Sequence, residues 1–173
     1  FNNKNTSGDP ILFNEAFVAV GGEWGELAAG RLANIFSGNG DFGLCPHINP
    51  SPMGTNFPNA GLTPIFSSGY YYNNSVIYNS PRVNGFHVAA MYSNGRDDDS
   101  VSRGKSDQFS ALALTYIGES FKFAVIPTYI DSDSLKTATV TPNDEYSIAL
   151  LGSYWPEPTM GLHFGYQFVR DGR

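Results

Sequence analysis

The side chains of this chain that could do chemistry are few and scattered. Its one cysteine, Cys45, stands close to His47. The pair could share a soft metal, but two donors do not fill the four-coordinate shell such an ion needs, and no others stand nearby. Gly38-Asn39-Gly40-Asp41-Phe42-Gly43 matches the G-x-G-x-x-G cradle of a dinucleotide. That cradle works only when a helix follows it directly, and Pro46, Pro50 and Pro52 stand in the way. The glycines are better read as backbone freedom in a loop. Asp97-Asp98-Asp99 is either a calcium-binding external acidic loop or a solvated charge run. Asp131-Ser132-Asp133 opens like a calcium loop and then carries Leu135 where a glycine is required. His47, His87 and His163 lack a Ser or Cys partner in any nucleophile motif. No enzyme is expected, and no cofactor beyond calcium at acidic loops.

The charge balance narrows the partners. Ten Lys and Arg against sixteen Asp and Glu give a net charge of −6, which disfavours nucleic acid. A single cysteine excludes an internal disulfide framework. Charged residues make up 15% of the chain and aromatics 14%, whereas a soluble domain carries about a quarter charged residues. No run reaches the roughly 20 apolar residues of a membrane helix, so any membrane span must be made of strands.

The elements that could position these side chains read as paired strands. They fall at 12–22 and 26–35, 75–80 and 86–94, 107–117 and 121–131, and 144–155 and 160–170. Within them the period is two, the mark of a sheet with unlike faces. Phe121, Phe123, Val125 and Tyr129 alternate with Lys122, Ala124 and Thr128; Leu162, Phe164, Tyr166 and Phe168 alternate with Gly161, His163, Gly165 and Gln167. Pro127 should interrupt a ladder or sit at a bulge. The connections alternate between short turns and the long segments 36–74, 95–106 and 132–143. Short turns on one rim and long loops on the other, with strands of about 10 residues, are the pattern of an outer-membrane barrel. Aromatics near strand ends, Trp24, Tyr78, Phe86, Tyr92, Phe121, Tyr129 and Trp155, suit interfacial girdles. Segment 36–74 carries too much apolar area for a disordered linker, including Phe42, Leu44, Phe57, Ile65, Phe66 and Tyr70 to Tyr72. It is expected to fold back inside something hollow. A secreted or surface β-sandwich that binds glycans is the alternative, since alternation alone fits both.

The run AFVAVGGEWGELAAGR, the long loop, and NSVIYNSPRVNGFHVAAMYSNG resemble the Gram-negative trimeric general porins. The resemblance implies an all-β antiparallel transmembrane barrel of about 16 strands, of which about eight are present here, with the third loop (36–74) folded into the lumen as a constriction. One incomplete domain, 1–173, is expected, because a barrel of about eight strands is filled by its own side chains and has no room for such a loop. The chain opens on Phe1 without a Met and reads as an internal piece of something larger. The family pattern implies passive diffusion of small polar solutes and ions, a homotrimer, and a setting of outer-membrane lipid and lipopolysaccharide. It places Arg31 in the basic wall facing the loop, puts Asn79 at the family's second basic position, and puts Ile65 at the acidic loop tip beside Phe66. Asp41 is the only carboxylate between Phe36 and Asn74. A weak transverse field and a nearly neutral constriction are therefore expected. His87, Lys122 and His163 fall on the polar faces as further pore-lining candidates, or as filler. Small residues Ala28, Gly30 and Ala33 suit close packing against another subunit.

Overall fold

The structure, a computed structural model, describes residues 15–33, 35, 71–94, 108–131, 144–157 and 160–171. The strands are β1 (Ala16–Gly22), β2 (Gly25–Ala33), β3 (Tyr71–Asn79), β4 (Phe86–Ser93), β5 (Gln108–Ile117), β6 (Phe121–Asp131), β7 (Glu145–Glu157) and β8 (Met160–Asp171). They form one eight-stranded antiparallel sheet in sequence order. Each strand pairs with its neighbour in the chain, so the sheet is a meander. β1 and β8 each keep an unpaired outer edge among the described residues.

Local chemistry accounts for the turns. Asn84 (φ 51°) and Gly85 (φ 85°) occupy the two central positions of a tight turn, and Val83 and Phe86 exchange both backbone hydrogen bonds, each 2.9 Å. Two left-handed residues are what a type I′ hairpin needs, and Asn-Gly tolerates them best. The β1–β2 turn is Glu23-Trp24, closed by the Gly22–Gly25 pair. Tyr78 clamps it from β3, stacking on the Trp24 ring at 6.2 Å and donating its hydroxyl to the Trp24 carbonyl at 2.7 Å. Pro127 has no N–H to give β5. The β5–β6 ladder is correspondingly broken between Ala111↔Thr128 and Leu114↔Val125, and resumes in the same register.

Segment 36–74 is shorter than the turn-rich composition suggests, because β3 begins at Tyr71. Asn73 and Asn74 look like turn residues but form a β-bulge. Between Gly30↔Ser75 and Leu32↔Tyr72 they stand opposite Arg31 alone, with Asn74 at φ 50°. A bulge bends its strand and strengthens the local twist.

The two faces of the sheet differ as the alternation requires, and their exposure decides their roles. Val88, Leu112, Leu114, Ile148, Leu150, Leu162, Phe164, Tyr166 and Phe168 are all exposed. Phe123 is only partly buried. The opposite face is buried: Ala28, Ile77, Ala89, Met91, Phe109, Ala113, Ile126 and Ala149 form a continuous apolar cluster. Ser75, Asn79, His87, Ser93, Thr115, Thr128, Ser147 and Ser153 are interspersed in it. A soluble sandwich would bury its large aromatic face against a second layer, and no such layer covers this one among the described residues.

Candidate functional site

The outer face is organised in bands. Near the short turns lie Trp24, Tyr78, Phe86, Tyr116, Phe121, Phe123 and Tyr154. Phe86 and Tyr116 are 5.1 Å apart, Tyr116 and Phe123 6.2 Å, and Phe121 and Phe123 5.9 Å. At the other rim Tyr129 and Tyr146 pack at 4.8 Å, and Tyr92 shares their register row through Ser110. Between the bands runs a row in which the aliphatic Val88, Leu114, Val125 and Leu150 and the aromatic Tyr166 are cross-strand neighbours. Tyr146 to Tyr154, at ~3.4 Å per residue and a tilt of ~40°, spans about 20 Å of height. An apolar belt of this height between aromatic girdles matches the hydrocarbon layer of a membrane. Trp155, expected in the girdle, is not part of it. It follows Tyr154 onto the inner face, where Lys122 Nζ lies 5.3 Å from its ring. The outward girdle position at that end of β7 belongs to Tyr154.

Of the predicted wall residues, Asn79, His87 and Lys122 lie on the inner face. His87 Nδ1 and Thr115 Oγ1 are 3.1 Å apart, and Thr115 Oγ1 donates to the His87 carbonyl at 3.0 Å. Asn79 is buried between Glu26 and Ala89. Lys122 is paired with Ser153, and Ser153 with His163, so these positions form one row near the turn rim. Thr128, Ser147 and Gln167 link β6, β7 and β8: the Thr128 and Ser147 hydroxyls are hydrogen-bonded, and Gln167 Nε2 donates to Ser147 Oγ at 3.0 Å. Asp41, Ile65, Phe66, Cys45, His47 and Asp97-Asp98-Asp99 lie outside the described residues.

A feature that motif reading missed joins the two ends of the long segment to the wall. Arg31 Nη1 donates to Asn73 Oδ1 at 2.8 Å across the bulge. Ser93 Oγ donates to the Asn73 carbonyl at 2.7 Å, Ser75 Oγ to the Tyr72 carbonyl at 2.8 Å, and Asn94 N to the Asn74 carbonyl at 3.3 Å. Beneath them Tyr72 stacks on Phe109 at 4.5 Å, and Leu32, Ile35, Tyr72 and Phe109 are all essentially inaccessible to solvent. Each neutral hydrogen bond adds about 1 kcal/mol net, so the cluster fixes where residues 35 and 71 meet the wall. The Asn-Asn pair was the available signal, because left-handed asparagine marks bulges as well as turns. Ala28 and Ala33, expected at a subunit contact, are instead buried within this chain at 0% and 2% exposure. The small and apolar side chains that β1 and β2 leave open are Val18, Ala19, Val20, Leu27 and Ala29.

An open meander with an exposed greasy face, girdled at both ends, is a wall of an outer-membrane β-barrel protein. A family model for the Gram-negative porins matches residues 1–170, and the chain belongs to that family. It is similar to an outer membrane porin protein of Bordetella pertussis, with 28% identity over 180 residues, covering 98% of this chain and 45% of that protein. The chain thus spans less than half the length of that relative. Its place is the outer membrane of a Gram-negative bacterium. No solved structure matches it.

Proposed function

We propose that this chain is part of the wall of a water-filled channel for passive diffusion of small hydrophilic solutes and ions. Further strands, added at the free edges of β1 and β8, would complete a barrel of about 16. The segment after Ile35 would enter the lumen and narrow it, and the protein would work as a homotrimer without catalysis. The observation that carries the reading is the exposure of Leu114, Leu150, Phe164 and Phe168 on one face, with hydrogen-bonded hydroxyls on the other.

Selectivity follows from the inner face. Between Lys122 at the turn rim and Glu145 near the other, the inward positions of β3 to β8 carry no Asp, Glu, Lys or Arg among the described residues. A pore selects ions by rings of charge, and here the wall offers Ala, Ser, Thr, Ile and Met. The full-length protein in a planar bilayer is expected to give ohmic single-channel steps, with a reversal potential of only a few millivolts in a tenfold salt gradient. A reversal potential close to the Nernst limit for cations would overturn the neutral constriction. Absence of any conductance from folded protein would overturn the channel.

A further inference from the structure

We propose that the turn-side mouth of the channel holds a binding site for a small aromatic carboxylate, its carboxylate between Arg82 and Lys122 and its ring against Trp155. This rests on the channel reading, which turns the inner face of the sheet to the lumen. The three side chains come from the β3–β4 turn, β6 and β7. Lys122 stands on the inner face, in register with Ile117 on one side and Ser153 on the other. Trp155 lies two residues beyond Ser153 on the same face, and its backbone N–H donates to the Ser120 carbonyl at 2.8 Å, which ties it to the β5–β6 turn. Val83 bridges to Phe86, which is exposed on the outer face. Strand alternation therefore sends Arg82 the other way, toward Lys122. The two come close enough for their charges to repel.

That meeting of like charges is what points to an anion. It costs free energy unless a negative group answers both. Lys122 rests on a ring instead of a carboxylate, with Nζ 5.3 Å from the Trp155 centroid. A cation–π contact leaves the full charge on the ammonium. Glu119, the carboxylate of the β5–β6 turn, makes no ion pair with either cation among the described residues. The β3–β4 and β5–β6 turns are described throughout, and Pro158 and Thr159 of the β7–β8 turn carry no charge. Arg82 is exposed and Lys122 and Trp155 are partly so, so water and solutes reach all three. A guanidinium and an ammonium together match a carboxylate. The indole then favours a carboxylate that carries a ring, through offset or edge contact. Screening within about 8 Å at physiological salt confines the field of the pair to the wall beside it, so the constriction stays nearly neutral to a salt gradient.

Fluorine NMR of the full-length protein in detergent tests this, with para-fluorobenzoate, fluoroacetate and para-fluorobenzamide titrated in turn and the signal in protein-free micelles subtracted. Line broadening should give para-fluorobenzoate a dissociation constant about tenfold or more below those of the other two. Lys122→Gln and Arg82→Gln should each weaken it about tenfold, and Lys122→Arg should stay close to the parent. Trp155→Leu should remove the preference over fluoroacetate and leave fluoroacetate itself unchanged. Equal affinities for the three probes in the parent, or para-fluorobenzoate binding unchanged in both K122Q and R82Q, would overturn the site. So would inorganic phosphate that displaces para-fluorobenzoate more readily than unlabelled benzoate does. Conductance of the same preparations in plain salt reads the channel separately. A conducting parent without the preference refutes the site alone, whereas a non-conducting parent whose preference depends on Arg82 and Lys122 refutes the channel alone.

Discussion

Arginine in place of Leu114 is expected to destabilise the full-length protein by about 2–4 kcal/mol when it folds into a bilayer. Leu114 is 42% exposed, and in a water-soluble protein a surface substitution of this kind changes stability by about 0.5 kcal/mol or less. The two settings therefore differ several-fold in energy at one site. Leu114 sits at mid-height, flanked in register by Val88 and Val125, where an arginine can reach neither rim without distorting the lipid. Urea titration of the folded protein in vesicles measures the loss. Glu119→Arg in the exposed β5–β6 turn should lie within about 0.5 kcal/mol of the parent.

The second large effect is expected at Gly30. Its φ of 147° lies where L side chains rarely go, and a Cβ built on it would meet the Ala16 carbonyl oxygen at 2.2 Å and Phe17 Cα at 2.7 Å. Neither contact is with a flexible side chain, so the β1–β2 ladder itself must move. Gly30→Ala should cost about 3 kcal/mol, from backbone strain and lost pairing together. Gly165→Ala is the contrast: its Cβ would touch only Leu151 Cδ2, at 3.3 Å, and the loss should stay below about 0.5 kcal/mol. The same urea titration compares them, and near-equal losses would contradict this account of β2.

Much of the wall was legible because its determinants are local. Asn84-Gly85 specifies a hairpin by its own backbone preference, and the alternation of Phe121 to Tyr129 and of Leu162 to Phe168 specifies faces by the pleat alone. The start of β3 was not legible. Asn73 and Asn74 have turn chemistry, and only their partners Arg31, Ser75 and Ser93, from three strands, make them a bulge. Trp155 misled for a related reason: its composition suits a girdle, but its place after Tyr154 puts it on the Lys122 side. The inner face was expected to be wet, and is instead largely an apolar cluster of Ala28, Ile77, Met91 and Phe109 threaded with hydroxyls. Alternation shows that two faces differ without saying how much each is covered. Of the candidate pore residues, Asn79, His87 and Lys122 fall on the inner face and His163 on the same register row as Lys122, while Arg31 is tied to the bulge by Asn73.

The most direct test uses two adjacent positions on β5, one for each face. In full-length protein with Cys45→Ser, an environment-sensitive fluorophore on Leu114→Cys or on Ala113→Cys is exposed to lipids brominated along their acyl chains. The fluorophore at 114 should be strongly quenched and that at 113 scarcely affected. Equal quenching at both positions, or quenching at 113 alone, would contradict an outward-facing apolar side.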